Sequence, residues 1–342
     1  MSVLKKAKRA VLAVAKGTGA YAISAKSGRR NSRLLVVGYH GVSLADEHEW
    51  HPALFLSPDT FRGRLESLKR TRCTILPLQE GLDRLYRGDL PERAVALTFD
   101  DGTYDFRQIV WPMLKEYGYP ATLYWTTYWV TIGRPVVPVI WNYLLWKKRG
   151  SVFPAPKFLG NGSKLDLTSD ATREKSLQEL LSRSSQQNMD GVQQDAITQE
   201  LAQILGVDYE DIRKRRILSL LQPEEIRELA ADGVSVQLHM HVHNSPTVKE
   251  KFETNLLDNR NLIEKAAGCR PVHFCYPSGI YQKEFLPWLR ELGIKSATTC
   301  DPALTTSSSD PLLVPRLVDT SCLSTLEFES WLVGIGELLP RR

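Results

Sequence analysis

Hydrophobic positions along this chain gather into short continuous runs, separated by longer stretches of helical spacing. The first run, Leu34–Tyr39, is apolar throughout and ends on His40-Gly41. A strand buried on both faces reads this way, whereas a half-exposed strand alternates. Similar runs recur at Thr74–Leu76, Ala94–Phe99, Ala121–Thr127, Val234–His239, Val272–Tyr276 and Lys295–Thr299. Between them the period changes. Phe61, Leu65 and Leu68 share one face of a helix opened by Ser57-Pro58, with serine as the cap and proline in the first turn. Further helices are expected over Leu78–Tyr86, Phe106–Tyr117, Pro223–Ala231, Val248–Ala267 and Lys283–Leu292. Ser324-Thr325-Leu326-Glu327 is a capping box that opens a last helix over Thr325–Gly334. About seven strands alternating with helices imply parallel β/α units, closed as a barrel or open as a sheet.

The rhythm breaks between about residues 128 and 221. Leucine and tryptophan spacings there suggest helices, interrupted by a Pro/Gly-rich stretch (153–162) and a Gln/Ser-rich one (182–194). No strand bearing a carboxylate or histidine is evident, so this part reads as an inserted, mostly helical cap beside the active face.

In parallel β/α folds, chemistry belongs at the C-terminal strand ends. His40, Asp100, Asp101, His239 and Tyr276 all fall there. Asp100-Asp101-Gly102 places two carboxylates side by side, and such a pair calls for a metal ion or a cation. His239 and His243 are the candidate partners. One aspartate and two histidines form a facial set that leaves positions open on a divalent ion, as a hydrolytic site requires. His241 competes with His243, because in a regular strand it faces the same way as His239. Each feature also has a bland reading: Asp-Asp-Gly is a common turn, His273 sits inside an apolar strand, and His48 and His51 lie in a polar loop.

Three motifs in order resemble the NodB-type polysaccharide deacetylases, a family of metal-dependent carbohydrate esterases. They are Thr98-Phe99-Asp100-Asp101-Gly102, the His-x-x-x-His of residues 239–243, and the looser Phe274-Cys275-Tyr276-Pro277-Ser278-Gly279. The early strand end Tyr39-His40 resembles a sub-group whose chain is permuted. The resemblance implies a distorted (β/α) barrel of about seven parallel strands, carried by residues 34–335 with the cap inserted. It implies that Asp101, His239 and His243 hold a divalent metal, zinc above all, and that Asp100 is the general base. The backbone N–H of Ser278 would hold the oxyanion, and His40 would donate a proton to the leaving amine. Cys275 stands where many members have an arginine that orients the base, and Arg316 is the substitute. The substrate implied is a glycan containing N-acetylhexosamine, in cell-surface or exopolysaccharide synthesis, with Tyr276, Trp125 and Trp129 as candidate sugar contacts. Two competitors are another metal amidohydrolase, using His239-x-His241, and a catalytically silent glycan-binding protein.

Charge alters the picture only when it is divided along the chain. Of 44 basic residues, nine lie in residues 1–33, which contain no acidic residue; 35 then face 39 acidic ones in the rest. That balance argues against a nucleic-acid surface on the body and leaves any attraction for polyanions to the arm. The basic arm is too interrupted for a signal peptide, because Lys16 ends the apolar run after Ala15, and too short for a transmembrane helix. Drawn as a helix, it places Val3, Leu4, Ala7, Ala10, Val11 and Val14 on one side. That suits an interfacial helix on anionic lipid, and a frayed, solvated terminus is the alternative. The expected location is cytoplasmic, with peripheral contact at the inner face of the membrane. Five cysteines, odd in number and without a Cys-x-x-Cys pair, fit a reducing compartment.

Overall fold

The computed structural model describes residues 3–130, 135–160 and 162–339, with the side chains of residues 3–5 left out. The apolar runs form one curled parallel sheet. Its strands are β1 (Leu35–Tyr39), β2 (Thr74–Ile75), β3 (Ala94–Phe99), β4 (Thr122–Trp125), β5 (Ser235–Leu238), β6 (His273–Cys275), β7 (Ser296–Thr298) and β8 (Leu317–Val318). The order across the sheet is β7-β6-β5-β4-β3-β1-β8, with the short β2 attached to β3. Every pairing in this sheet is parallel. β1 and β3 run in register from Leu35↔Val95 to Tyr39↔Phe99, with all eleven residues buried between helical layers. Seven strands on this path, wrapped by helices, make the distorted β/α barrel the alternation implied.

The last strand segment completes the curl. Val314 bridges to Thr298 beside β7, while Leu317 pairs with Val37 of β1. Pro315-Arg316 spans the gap between these two contacts, which carries the Arg316 side chain into the barrel. β1 makes room for it: a Cβ on Gly38 would lie 3.2 Å from the guanidinium carbon. Just beyond β8, buried Asp319 receives Arg64 Nε at 2.8 Å, tying the strand to the helix Pro58–Arg70.

Helix boundaries follow the local signals. Ser57 Oγ accepts the Thr60 amide, and Ser324 with Glu327 forms the expected capping box. One element departs from expectation. The helix over 106–117 begins as a π-helix, Phe106–Val110, before continuing as Trp111–Tyr117. Pro112 has no amide to return to the preceding turn, which favours the wider register.

Residues 137–214 contribute the helices Val137–Lys147, Asp170–Gln186, Gly191–Leu205 and Tyr209–Lys214. They pack around their own core, including Trp141, Leu144, Leu180 and Leu201. A small antiparallel pair, Val152–Pro154 with Lys164–Asp166, also lies there and was not evident from the sequence. Part of the expected cap, residues 131–134 and 161, lies outside the described residues. Lys147 Nζ reaches Asp46 Oδ2 at 2.5 Å, linking this region to the loop after β1.

The N-terminal arm is not a frayed tail. It folds as α1 (Val3–Gly17), α2 (Ala20–Ala25) and α3 (Gly28–Asn31). Leu12 and Tyr21 are buried, and the guanidinium of buried Arg30 donates to the carbonyls of Leu332, Arg33 and Ala94. The side chains of Val3 and Leu4 lie outside the described residues. No described helix is long and apolar enough to cross a membrane.

Candidate metal centre and catalytic site

The site is built where β3 and β5 end. Asp100 N–H donates to Tyr39 O at 2.8 Å, extending the ladder by one residue. Asp101 then leaves the strand with φ 67°, and Gly102 follows at φ 76°. Only glycine suits the second position. A Cβ there would lie 2.3 Å from Trp125 Cδ1, which forms the floor under the turn. This sharp reversal turns two consecutive carboxylates in different directions.

Asp101 faces the histidines. Its Oδ1 lies 3.2 Å from His239 Nε2 and 3.2 Å from His243 Nε2, and the two nitrogens are 3.2 Å apart. Bonds of about 2.0–2.2 Å to a tetrahedral ion place ligand atoms roughly 3.3–3.5 Å apart, so this triangle fits a zinc-sized cation. Asp101 Oδ1 is buried, and its neighbours at that distance are the two ring nitrogens, which meet it without well-aligned hydrogen bonds, a gap such an ion would fill. His239 Nδ1 meets Cys275 O at 2.9 Å, which presents Nε2 to the site. Burial pushes the Asp101 carboxyl up, but the adjoining His239 and His243 outweigh it and hold it well below its ordinary value.

Asp100 faces the other way, into the barrel, and is 2 % exposed. Arg316 grips both its oxygens, Nη1 to Oδ1 at 2.7 Å and Nη2 to Oδ2 at 2.8 Å. The same guanidinium donates from Nε to Thr299 O and from Nη1 to Thr98 Oγ1. Burial pushes the Asp100 carboxyl up, yet the arginine prevails and holds it at about 2. Cys275 Sγ lies 3.6 Å from Asp100 Oδ2. Asp100, His239 and Cys275 form a second cluster of ligand-type atoms. It suits a cation less well, since Arg316 already occupies the carboxylate and burial pushes the thiol well up, keeping it protonated. His40 Nε2 stands 3.9 Å from Asp100 Oδ2, and its buried Nδ1 has no partner among the described residues.

Met240 resolves the histidine ambiguity. Its φ of 65° breaks the strand after His239, so His241 does not repeat the inward direction. His241 Nδ1 instead meets Thr127 Oγ1 at 2.9 Å. Ser278 also adopts a left-handed conformation, φ 56°, at an exposed position. Strain of this kind persists where surrounding structure enforces it.

Two expected sugar contacts are corrected. The Trp125 ring is fully buried beneath Gly102, and the Tyr276 ring is fully buried with its hydroxyl on Leu312 O at 3.0 Å. Neither ring has a face for a sugar. Trp129 is half-buried, wedged between the barrel core and the core of residues 137–214, with its ring edge-on to Tyr128. His273 is buried on Ser296, in line with its bland reading.

Other residues were missed. Asn259 Oδ1 accepts the His239 amide at 2.9 Å, and its Nδ2 donates to Trp125 O and Thr127 Oγ1. Asn255 Oδ1 accepts the Val242 amide, holding the loop that carries His243. The signal was two asparagines four apart on the apolar face of the helix Lys249–Ala267. Asp105 Oδ2 accepts the Val42 amide at 2.7 Å, fastening the segment after His40 to the turn after Asp101.

A β/α barrel with a carboxylate and two imidazoles meeting at its strand ends is an arrangement that suits a metal-dependent hydrolase. The profile of the polysaccharide deacetylase family matches residues 87–145 and 184–297, and the chain belongs to that family of metal-dependent hydrolases. No curated protein sequence matches it. Among solved structures it is similar to the Streptococcus pyogenes deacetylase PplD in complex with acetate (TM-score 0.58, 18 % identity, 90 % of this chain and 99 % of that one). It is similar also to IcaB from Ammonifex degensii (TM-score 0.56, 17 % identity, 89 % and 97 %). A de-N-acetylase from Aggregatibacter actinomycetemcomitans matches at TM-score 0.50, 15 % identity, over 84 % and 95 %.

Proposed function

We propose that this deacetylase removes N-acetyl groups from N-acetylhexosamine units of a cell-surface polysaccharide or its precursor. One observation carries the reading: two adjacent aspartates are assigned opposite partners, Asp101 toward His239 and His243, Asp100 toward Arg316. A divalent ion held by Asp101, His239 and His243, zinc by donor type, would supply Lewis acidity to a water and to the acetamide carbonyl. Asp100, ionised throughout the working range, takes the proton from the attacking water. Its low basicity suits a water already acidified and little else. Arg316 fixes the plane of that carboxylate through both oxygens. The Ser278 amide donates to the carbonyl oxygen as negative charge develops on it. His40, beside Asp100 and part-exposed, gives a proton to the departing amine. Trp129 is the remaining aromatic for sugar contact.

The amidohydrolase alternative needs His241 beside His239, and its pairing with Thr127 speaks against that. A silent glycan binder would have no use for the Arg316 grip on Asp100. Acetate release from an N-acetylglucosamine oligomer tests the reading. Wild type releases acetate, and Asp100→Asn loses release by about 10²–10⁴-fold while keeping its metal. Metal loss in Asp100→Asn with retained release would reverse the two aspartate roles.

A further inference from the structure

The helix α1 is mounted against its own amphipathicity. Its basic side turns inward: Arg9 Nε lies 3.4 Å from Glu327 Oε2, and Lys16 Nζ lies 2.5 Å from Glu329 Oε2. Leu12, fully buried beside Tyr21 and Val333, sits on that same side. The opposite side carries Ala7, Ala10, Val11 and Val14, all facing solvent, with Val11 55 % and Val14 65 % exposed. Ile23 of α2, at 75 %, is the most exposed large hydrophobic residue described. Aliphatic side chains left in water forgo about 25 cal/mol for each Å² they would otherwise bury. A row of them marks an interaction surface rather than a resting one.

The charge of the arm says what covers the row. Nine lysines and arginines and no acidic residue occupy residues 1–33. Glu327, Glu329 and Glu337 of the body meet four of them: Arg9, Lys16, Arg29 and Arg33. Lys6 on α1 and Lys26, just after α2, stay exposed. A second copy of this chain would bring an equally positive arm against the first, and like charges oppose that pairing. We propose that α1 and α2 form an interfacial docking surface for an anionic phospholipid membrane. Val11, Val14 and Ile23 enter the acyl boundary, and Lys6 and Lys26 lie among the headgroups. The arm is rooted through Arg30 on Ala94 O, where β3 starts, whereas Asp100 follows the other end of that strand. Docking therefore leaves the metal centre free, and the proposal stands or falls apart from the deacetylase chemistry.

Sedimentation of the full chain with phospholipid vesicles is the test. Wild type should pellet with vesicles containing phosphatidylglycerol, and much less with phosphatidylcholine alone. Added salt should weaken the partition. The double variant Val11→Glu/Val14→Glu should lower it about tenfold or more, with an unchanged melting temperature because both side chains already face water. A wild type that stays in the supernatant with both vesicles overturns the proposal, as does equal pelleting with neutral lipid. Variant and wild type pelleting alike would do so too. A dimer in light scattering that the double variant breaks, without vesicle binding, assigns the row to a second copy instead.

Discussion

Arg316 and Asp100 form a fully buried, doubly hydrogen-bonded pair, and each depends on the other for its state. Removing the arginine leaves a carboxylate in the barrel with nothing to offset its lost hydration, so its pKa climbs from about 2. Arg316→Met should cost about 3–5 kcal/mol of stability and at least as much acetate release as loss of Asp100 itself. Arg316→Lys should rescue little, since one ammonium does not reproduce the two-pronged grip. Thermal melts and turnover on the same preparations check both. Asp105 gives a pH-dependent outcome. Burial pushes its carboxyl from 3.8 up to about 7, against the hydrogen bonds it accepts. A pKa higher in the folded chain than in the unfolded one means stability that is full below about 4 and drains away as pH rises through 7. Asp105→Asn keeps an acceptor for the Val42 amide and escapes that loss. Its melting temperature should therefore gain on wild type steadily between pH 4 and 7, and a constant difference across that range would contradict the assignment.

At the scale of elements, the site depends on how the ends of β4 and β5 are held together. Asn259 and Asn255 do this from one helix, bonding the backbone at His239 and at Val242. Replacing either by alanine should weaken metal affinity by about 10–100-fold with the ligands themselves intact, as loss of groups that orient ligands does. Competition with a chelating dye reads that directly. The strands themselves were legible, because runs such as Ala94–Phe99 are too short and too apolar for anything but a buried parallel strand. The candidate ligand types were legible too, since Asp101 and the histidines of 239–243 are chemically distinctive, although the choice between His241 and His243 was not. What the sequence hid was direction. Nothing in Val236–His243 says that Met240 takes a positive φ and turns His241 aside, because that depends on Asn255 and Asn259 reaching over from a later helix. Trp125 and Tyr276 misled for a related reason. Their chemistry suits sugars, but the Gly102 turn and the Leu312 carbonyl lie over them only once the barrel has closed.

For the whole molecule, closure of the barrel and attachment of the arm are linked. The segment that brings Arg316 inward continues through Asp319, held by Arg64, into the helix Thr325–Leu332, which carries Glu327 and Glu329 against α1. Truncation should therefore act in two stages. Removing residues 1–19 breaks two part-exposed ion pairs and uncovers Leu12's seat, a loss on the order of 1–2 kcal/mol. Removing residues 1–33 also takes Arg30 from the carbonyls of Leu332 and Ala94, and Arg29 and Arg33 from Glu337, and should cost several kcal/mol more. Denaturant melts of the two truncations distinguish a docked arm, with these unequal losses, from a loose one with none. This organisation explains why the arm read ambiguously: a charge run tells its composition, not whether distant carboxylates await it.

The central claim is that Asp101, His239 and His243 gather around one cation, and metal content per folded chain tests it most directly. Elemental analysis of protein freed of loose metal should give about one zinc-class divalent ion per chain. Asp101→Asn and His243→Ala should each fall toward zero, while Asp100→Asn stays at the wild-type value. A folded wild type that retains no divalent ion when zinc is supplied, or an Asp101→Asn protein that holds it as well as wild type, would contradict the account.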